Sequence, residues 1–240
     1  MRISKALVVM ALFGFYATLH GYEGAQVSNG GTISGIVKFA GSPPAPKKLE
    51  ITKDMEVCGK TSKTNEDLIV SANKEIKNAV VSLTDIKKGK KLEIAKNPVL
   101  DQKGCMYVPH VLLVPAGASV DILNSDGILH NIHSYPTQNI NTAFNKAQPK
   151  FKTKMTEKFE KAELIKVQCD AHGWMSAWIL VHDHPYYSLT DDKGQFKLTD
   201  VPPGTYTLEV WQESLGKQTK QITVKDKEQV KVSLELSKKS

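Results

Sequence analysis

Arginine is almost missing. Arg2 is the only one among the 32 Lys+Arg of this 240-residue chain. The positive charge is lysine, scattered in clusters such as "KKGKK" (87–91), which suits solvated faces and guarded sheet edges. With no Arg-rich stripe and no nucleic-acid motif, the formal net charge of +7 is not read as a nucleic-acid surface. Helical patterning is missing too: no apolar helical period is sustained over about 12 residues. The C-x-x-C-H motif is absent, which excludes c-type haem attachment. Cysteine is scarce and odd in number: Cys58, Cys105 and Cys169.

One apolar run stands at the N-terminus, "MRISKALVVMALFGFYATLHGYEGA". Arg2 and Lys5 precede 14 apolar residues (6–19), too few to span a bilayer comfortably. Residues 1–25 therefore read as a secretory signal peptide cleaved within 21–26, with a buried N-terminal strand or an uncleaved anchor as the competing readings. The expectation is a periplasmic or secreted protein with no stable membrane span in the mature chain, in a compartment that permits disulfides. Cys58 ("EVCGK") and Cys105 ("QKGCMY") lie in turn-like settings that suit a structural bridge. Cys169 lies three residues before a histidine, which suits a ligand. This is the most economical pairing, and others stay open on sequence alone.

What the chain does have is short alternating runs: "TISGIVKF" (32–39), "AVVSLTDI" (79–86), "ASVDILN" (118–124), "LIKVQC" (164–169), "QFKLTDV" (195–201), "TYTLEVW" (205–211) and "VKVSLEL" (230–236). Turn signals such as "GSPPAP", "NSDG", "DDKG" and "PPG" separate them, so the class is all-β, in sandwiches or barrels. The Lys-rich stretch 145–163 reads as a loop with one strand, "KMTEKFE".

The C-terminal stretch "SLTDDKGQFKLTDVPPGTYTLEVWQE" carries a hairpin turn at Asp192-Lys193-Gly194 and a second turn at Pro202-Pro203-Gly204. From Thr190 to Leu208 it resembles the carboxypeptidase regulatory-like family, a transthyretin-like or carbohydrate-binding-like sandwich. The opening strand and second strand that this resemblance implies appear as "GTISGIVKFAG" (31–41) and "KNAVVSL" (77–83), more than a hundred residues upstream. The expectation is one discontinuous sandwich, residues 30–93 with 184–240, interrupted by a second domain at 94–183. Three sequential modules are the alternative.

The insert holds the chemistry. It offers His130 and His133 at one strand end, and Cys169, His172 and Met175 in the loop "CDAHGWM". A thiolate, imidazoles and a thioether form a soft donor set, the set of mononuclear electron-transfer copper; structural zinc rarely uses methionine. "YVPHVLLVPAGASVDILNSD", His130-Asn131-Ile132 and the short Cys-His-Met loop together resemble the cupredoxin (type-1 blue copper) family, in its plastocyanin- and amicyanin-like form. The resemblance implies a Greek-key sandwich holding one type-1 copper ion. His130, Cys169 and His172 would bind in a plane, Met175 would be axial, and Asn131 would brace the ligand loop. Gly173-Trp174 replaces the proline often found after the ligand histidine.

Plainer readings cover the remaining residues. His133 faces away from His130; His110 is structural; His182 and His184 flank the domain exit, with a second metal site as a remote alternative. Trp174 and Trp178 are expected to give apolar cover over the copper.

The function expected is electron transfer to a redox partner protein, an acidic one given the lysine excess, leaving through the solvent-side edge of His172. No enzyme activity is expected, because one mononuclear site is visible and no further His-rich motif exists for oxygen chemistry. The alternatives are copper storage or delivery, and a carbohydrate-binding or adhesion module built on the outer sandwich. The only aromatics that stand out for the last are Tyr186, Tyr187 and Trp211.

Overall fold

Buried and exposed positions alternate along strand after strand in the computed structural model, which describes residues 21–238. The proposed signal peptide lies largely outside the described residues. The one helix among them is a four-residue turn, Met55–Cys58. No helix among the described residues is long and apolar enough to cross a membrane.

Two pairs of facing sheets form the body of the described residues, beside two short pairings, Glu23–Gly24 with Lys88–Gly89 and Ile69–Val70 with Ile76–Lys77. In the first pair, Gly31–Phe39 is the centre of a three-stranded sheet. It runs antiparallel to Gln195–Val201 and parallel to Gln229–Leu236. The facing four-stranded sheet has the order Tyr187–Leu189, Val80–Leu83, Gly204–Gln212, Gly216–Val224. The inward side chains of both sheets fill one core, with Ile33, Val37, Val81, Leu83, Phe196, Leu198, Leu208 and Val210 all buried. The turn before Gln195–Val201 explains its own residues. The Asp191 carboxylate accepts the amides of Lys193 (2.9 Å) and Gln195 (2.8 Å). Gly194 takes φ +65, where a Cβ would meet the Val37 carbonyl oxygen at 2.6 Å.

The second pair of sheets is built from the middle of the chain. One has the order Lys154–Lys158, Ser119–Asn124, Val99–Gln102, Tyr107–Val108. The other has the order Asn145–Gln148, His130–Pro136, Glu163–Gln168, Ser176–His182, Val111–Pro115. Leu100, Val120, Ile122, Ile132, Ile165, Val167 and Ile179 close the core between them. The all-β expectation therefore holds, as two adjoining sandwiches.

Val80–Leu83 departs from the alternation expected of "AVVSLTDI": it is buried at every position. Val81 faces the first core. Val80 instead joins Val111, Leu180 and Trp211 in a small cluster between the two sandwiches. His110 and Glu213 form a buried ion pair at this junction. Trp178 Nε1 donates to the other Glu213 oxygen at 2.7 Å, and the Trp178 and Trp211 rings meet edge to face at 5.1 Å.

One segment departs from the domain division read from the sequence. Ile51, Val57 and Cys58 pack on the core of the middle sandwich, although they lie within residues 30–93. A disulfide from Cys58 to Cys105 holds them there, with Cα atoms 5.3 Å apart. Cys169 is the free, buried cysteine.

Candidate metal centre

Strand His130–Pro136 begins where the Asn124–Ile128 turn closes, and Asn124 Nδ2 donates to the Ile128 carbonyl at 2.8 Å to shape that turn. His130 is thus the first strand residue, and its side chain points into the sandwich. The loop 169–175 joins strands Glu163–Gln168 and Ser176–His182. Three backbone bonds wind it tightly: Cys169 N to Met175 O (3.2 Å), His172 N to Cys169 O (3.3 Å) and Met175 N to His172 O (2.9 Å). A loop wound this way turns Cys169 and His172 to one side.

The side chains of His130, Cys169 and His172 converge. The two Nδ1 atoms lie 3.0 Å apart, and Cys169 Sγ is 3.9 Å from His130 Nδ1 and 3.7 Å from His172 Nδ1. All three residues are buried. Met175 is fully buried in the same core. Asn131 Oδ1 accepts the Ala171 amide at 3.2 Å and contacts Cys169 Sγ at 3.4 Å, so it ties the loop to the strand. Tyr107 OH donates to the Asn131 carbonyl at 2.6 Å and steadies that strand end.

Each imidazole has a carboxylate on its far side. His130 Nε2 meets Asp126 Oδ2 at 2.9 Å, and His172 Nε2 meets Asp54 Oδ2 at 2.7 Å. A carboxylate accepts, so each Nε2 carries the proton, and each Nδ1 turns its lone pair inward. Two lone pairs facing each other at 3.0 Å need a proton or a cation between them. Without metal, a proton takes that place. Burial works against charge on His130, but Asp126 and Cys169 outweigh it and raise its pKa to about 9. Burial, together with the neighbouring charge on His130, lowers the pKa of His172 despite Asp54. Burial also opposes ionisation of Cys169, yet His130 and the backbone amides of the loop lower its pKa overall. A soft cation satisfies the same two lone pairs and the thiolate at once, so the residues fit a copper ion.

Several expectations need correction. The far edge of His172 does not face solvent: its side chain is 0% exposed, because Asp54 covers it. Trp178 lies in the junction between the sandwiches, on the outer face of its strand, and not over the cluster. Trp174 does cover His172, with ring centroids 5.1 Å apart. His133 points away to Asp170, Tyr135 and Asn145. His110 is held by Glu213. His182 stacks on Tyr187, and His184 lies beside Tyr22. Tyr186 and Trp211 are buried, so neither supplies an exposed platform for a sugar.

Sequence reasoning missed Asp54 and Asp126. Asp126 had a signal, an acid four residues before His130 inside the "NSDG" turn. Asp54 is 118 residues from His172 and had none.

Residues 177–237 match the family model of the carboxypeptidase regulatory-like domain. No curated protein matches the chain. Among solved structures, a methionine-to-alanine variant of amicyanin in its Cu(I) form is 22% identical, with a TM-score of 0.33, over 38% of this chain and 87% of that one. A purple cupredoxin from Nitrosopumilus maritimus is also 22% identical, with a TM-score of 0.31, over 36% of this chain and all of that one.

Proposed function

We propose that this chain is a secreted or periplasmic electron-transfer protein holding one type-1 copper ion. His130, Cys169 and His172 would hold the ion, with Met175 as a fourth donor. The observation that carries the reading is the buried convergence of two inward Nδ1 lone pairs and a free thiol, with both Nε2 atoms fixed by carboxylates. When bound, copper supplies a one-electron couple. The chain's part is to hold a rigid, dry donor set, so that little rearranges on electron exchange. Asn131 fixes the loop against the strand, Asp126 and Asp54 orient the imidazoles, and Trp174 with the core side chains excludes water.

The reading makes the protein a carrier and not an enzyme. Residues 30–93 and 184–240 form one discontinuous carboxypeptidase regulatory-like domain in this account, apart from the segment holding Ile51, Val57 and Cys58, which packs with 94–183, the inserted copper domain. The partner is a redox protein, and the net charge of +7 favours one with an acidic face. Burial of all three ligands argues against copper delivery, which needs ligands open to exchange. Voltammetry of the copper-loaded protein separates carrier from store. A reversible one-electron wave with fast self-exchange is expected, and tightly bound copper without such a wave turns the reading to storage.

A further inference from the structure

The segment that carries Asp54 is anomalous for its place in the chain. Asp54 immediately precedes the helical turn Met55–Cys58, where an aspartate ordinarily accepts amides of its own helix. It makes no such bond. Its carboxylate reaches instead to His172 Nε2 at 2.7 Å. The backbone there is left-handed, φ 49 and ψ 48, a conformation that aspartate tolerates better than most residues. The geometry is held from the other end of the turn by the Cys58–Cys105 disulfide.

The same disulfide reaches the second carboxylate. Asp126 is gripped by the amides of Gly104 (2.6 Å) and Cys105 (2.7 Å). The Cys105 carbonyl accepts Trp174 Nε1 at 3.1 Å, and Trp174 lies against His172. One covalent bond therefore joins the segment that carries Asp54 to the turn whose amides grip Asp126.

We propose that Asp54 is a positioning residue of the metal centre, and that the Cys58–Cys105 bridge holds its segment as a cover over the outer edge of His172. Asp54 fixes the proton on Nε2, so that Nδ1 faces Cys169. It also places a carboxylate over the outer edge of the imidazole, which is therefore covered. This rests on the copper reading above.

The experiment uses Asp54→Gly and Asp54→Asn in the full chain with the disulfide intact. Glycine accepts the left-handed backbone and removes the carboxylate; asparagine also tolerates that backbone and keeps an acceptor without the charge. In the metal-free protein, nitrogen–proton NMR should show a slowly exchanging His172 Nε2–H. It should be lost in Asp54→Gly and retained in Asp54→Asn. In the copper-loaded protein, affinity should fall about tenfold or more in Asp54→Gly and largely recover in Asp54→Asn. Both variants should have raised reduction potentials, because a negative charge beside the oxidised site is gone. A wild-type Nε2–H that exchanges with solvent at once, or variants matching wild type in affinity and potential, overturns the proposal. Should Asp54→Gly fail to fold, Asp54→Asn and the wild-type spectrum still decide it. A wild-type protein that binds no copper overturns the functional reading and leaves the metal-free NMR result to judge the Asp54–His172 contact.

Discussion

His130 concentrates the electrostatics of the centre. Its side chain is fully buried between Asp126 and Cys169, and these raise its pKa from 6.5 to about 9. A raised folded-state pKa contributes stability that is complete below the unfolded value and is lost as pH rises through the folded one. The metal-free protein should therefore lose thermal stability between about pH 6.5 and 9, the interval between the two values. Asp126→Asn should flatten that dependence. Melting curves across the interval check this, and a wild-type curve flat through it contradicts the assignment. Metal uptake displaces the same proton, so copper affinity should rise over the same interval. The convergence of His130, Cys169 and His172 was legible through donor type and the resemblance at "HNI" and "CDAHGWM"; spacing alone could not reach it, since His130 lies 39 residues before Cys169. Asp54 was not, because its contact exists only once a distant segment is tied across.

At the scale of elements, the ligand loop depends on the strands at its ends, and the cover depends on its bridge. The disulfide closes a loop with a sequence separation of 47. On the chain-entropy account, its loss should cost about 4 kcal/mol. Urea unfolding of the Cys58→Ser/Cys105→Ser double variant measures this, and a loss under about 1 kcal/mol means the bridge positions rather than stabilises. The strands themselves were legible where one face is wet. "QFKLTDV" reads inward at Phe196, Leu198 and Val201, and those residues are buried. "AVVSLTDI" reads as alternating in the sequence, but Val80–Leu83 is buried throughout, because its two faces meet two different cores. The segment holding Ile51, Val57 and Cys58 was assigned by its place in the chain. Its apolar residues are too few to reveal which sandwich they cover.

For the whole molecule, the junction between the sandwiches decides whether they behave as one body. Glu213 bonds His110 and Trp178 at once, and its side chain is 9% exposed. Removing one partner of a buried pair strands the other, so Glu213→Ala should destabilise the protein by about 3–5 kcal/mol. Calorimetry should show one transition in wild type and separated transitions in the variant. A variant as stable as wild type contradicts the role given to the pair. No sequence pattern announced this contact, since His110 and Glu213 are 103 residues apart.

The central claim is that a thiolate and two imidazoles hold one copper ion, and the absorption spectrum of the Cu(II)-loaded mature protein tests it most directly. An intense thiolate-to-copper charge-transfer band is predicted, because Cys169 sulfur would bond the metal. Cys169→Ser should abolish it, and Met175→Leu should keep a coloured site with a raised potential. A colourless Cu(II) form of the intact protein would contradict the account.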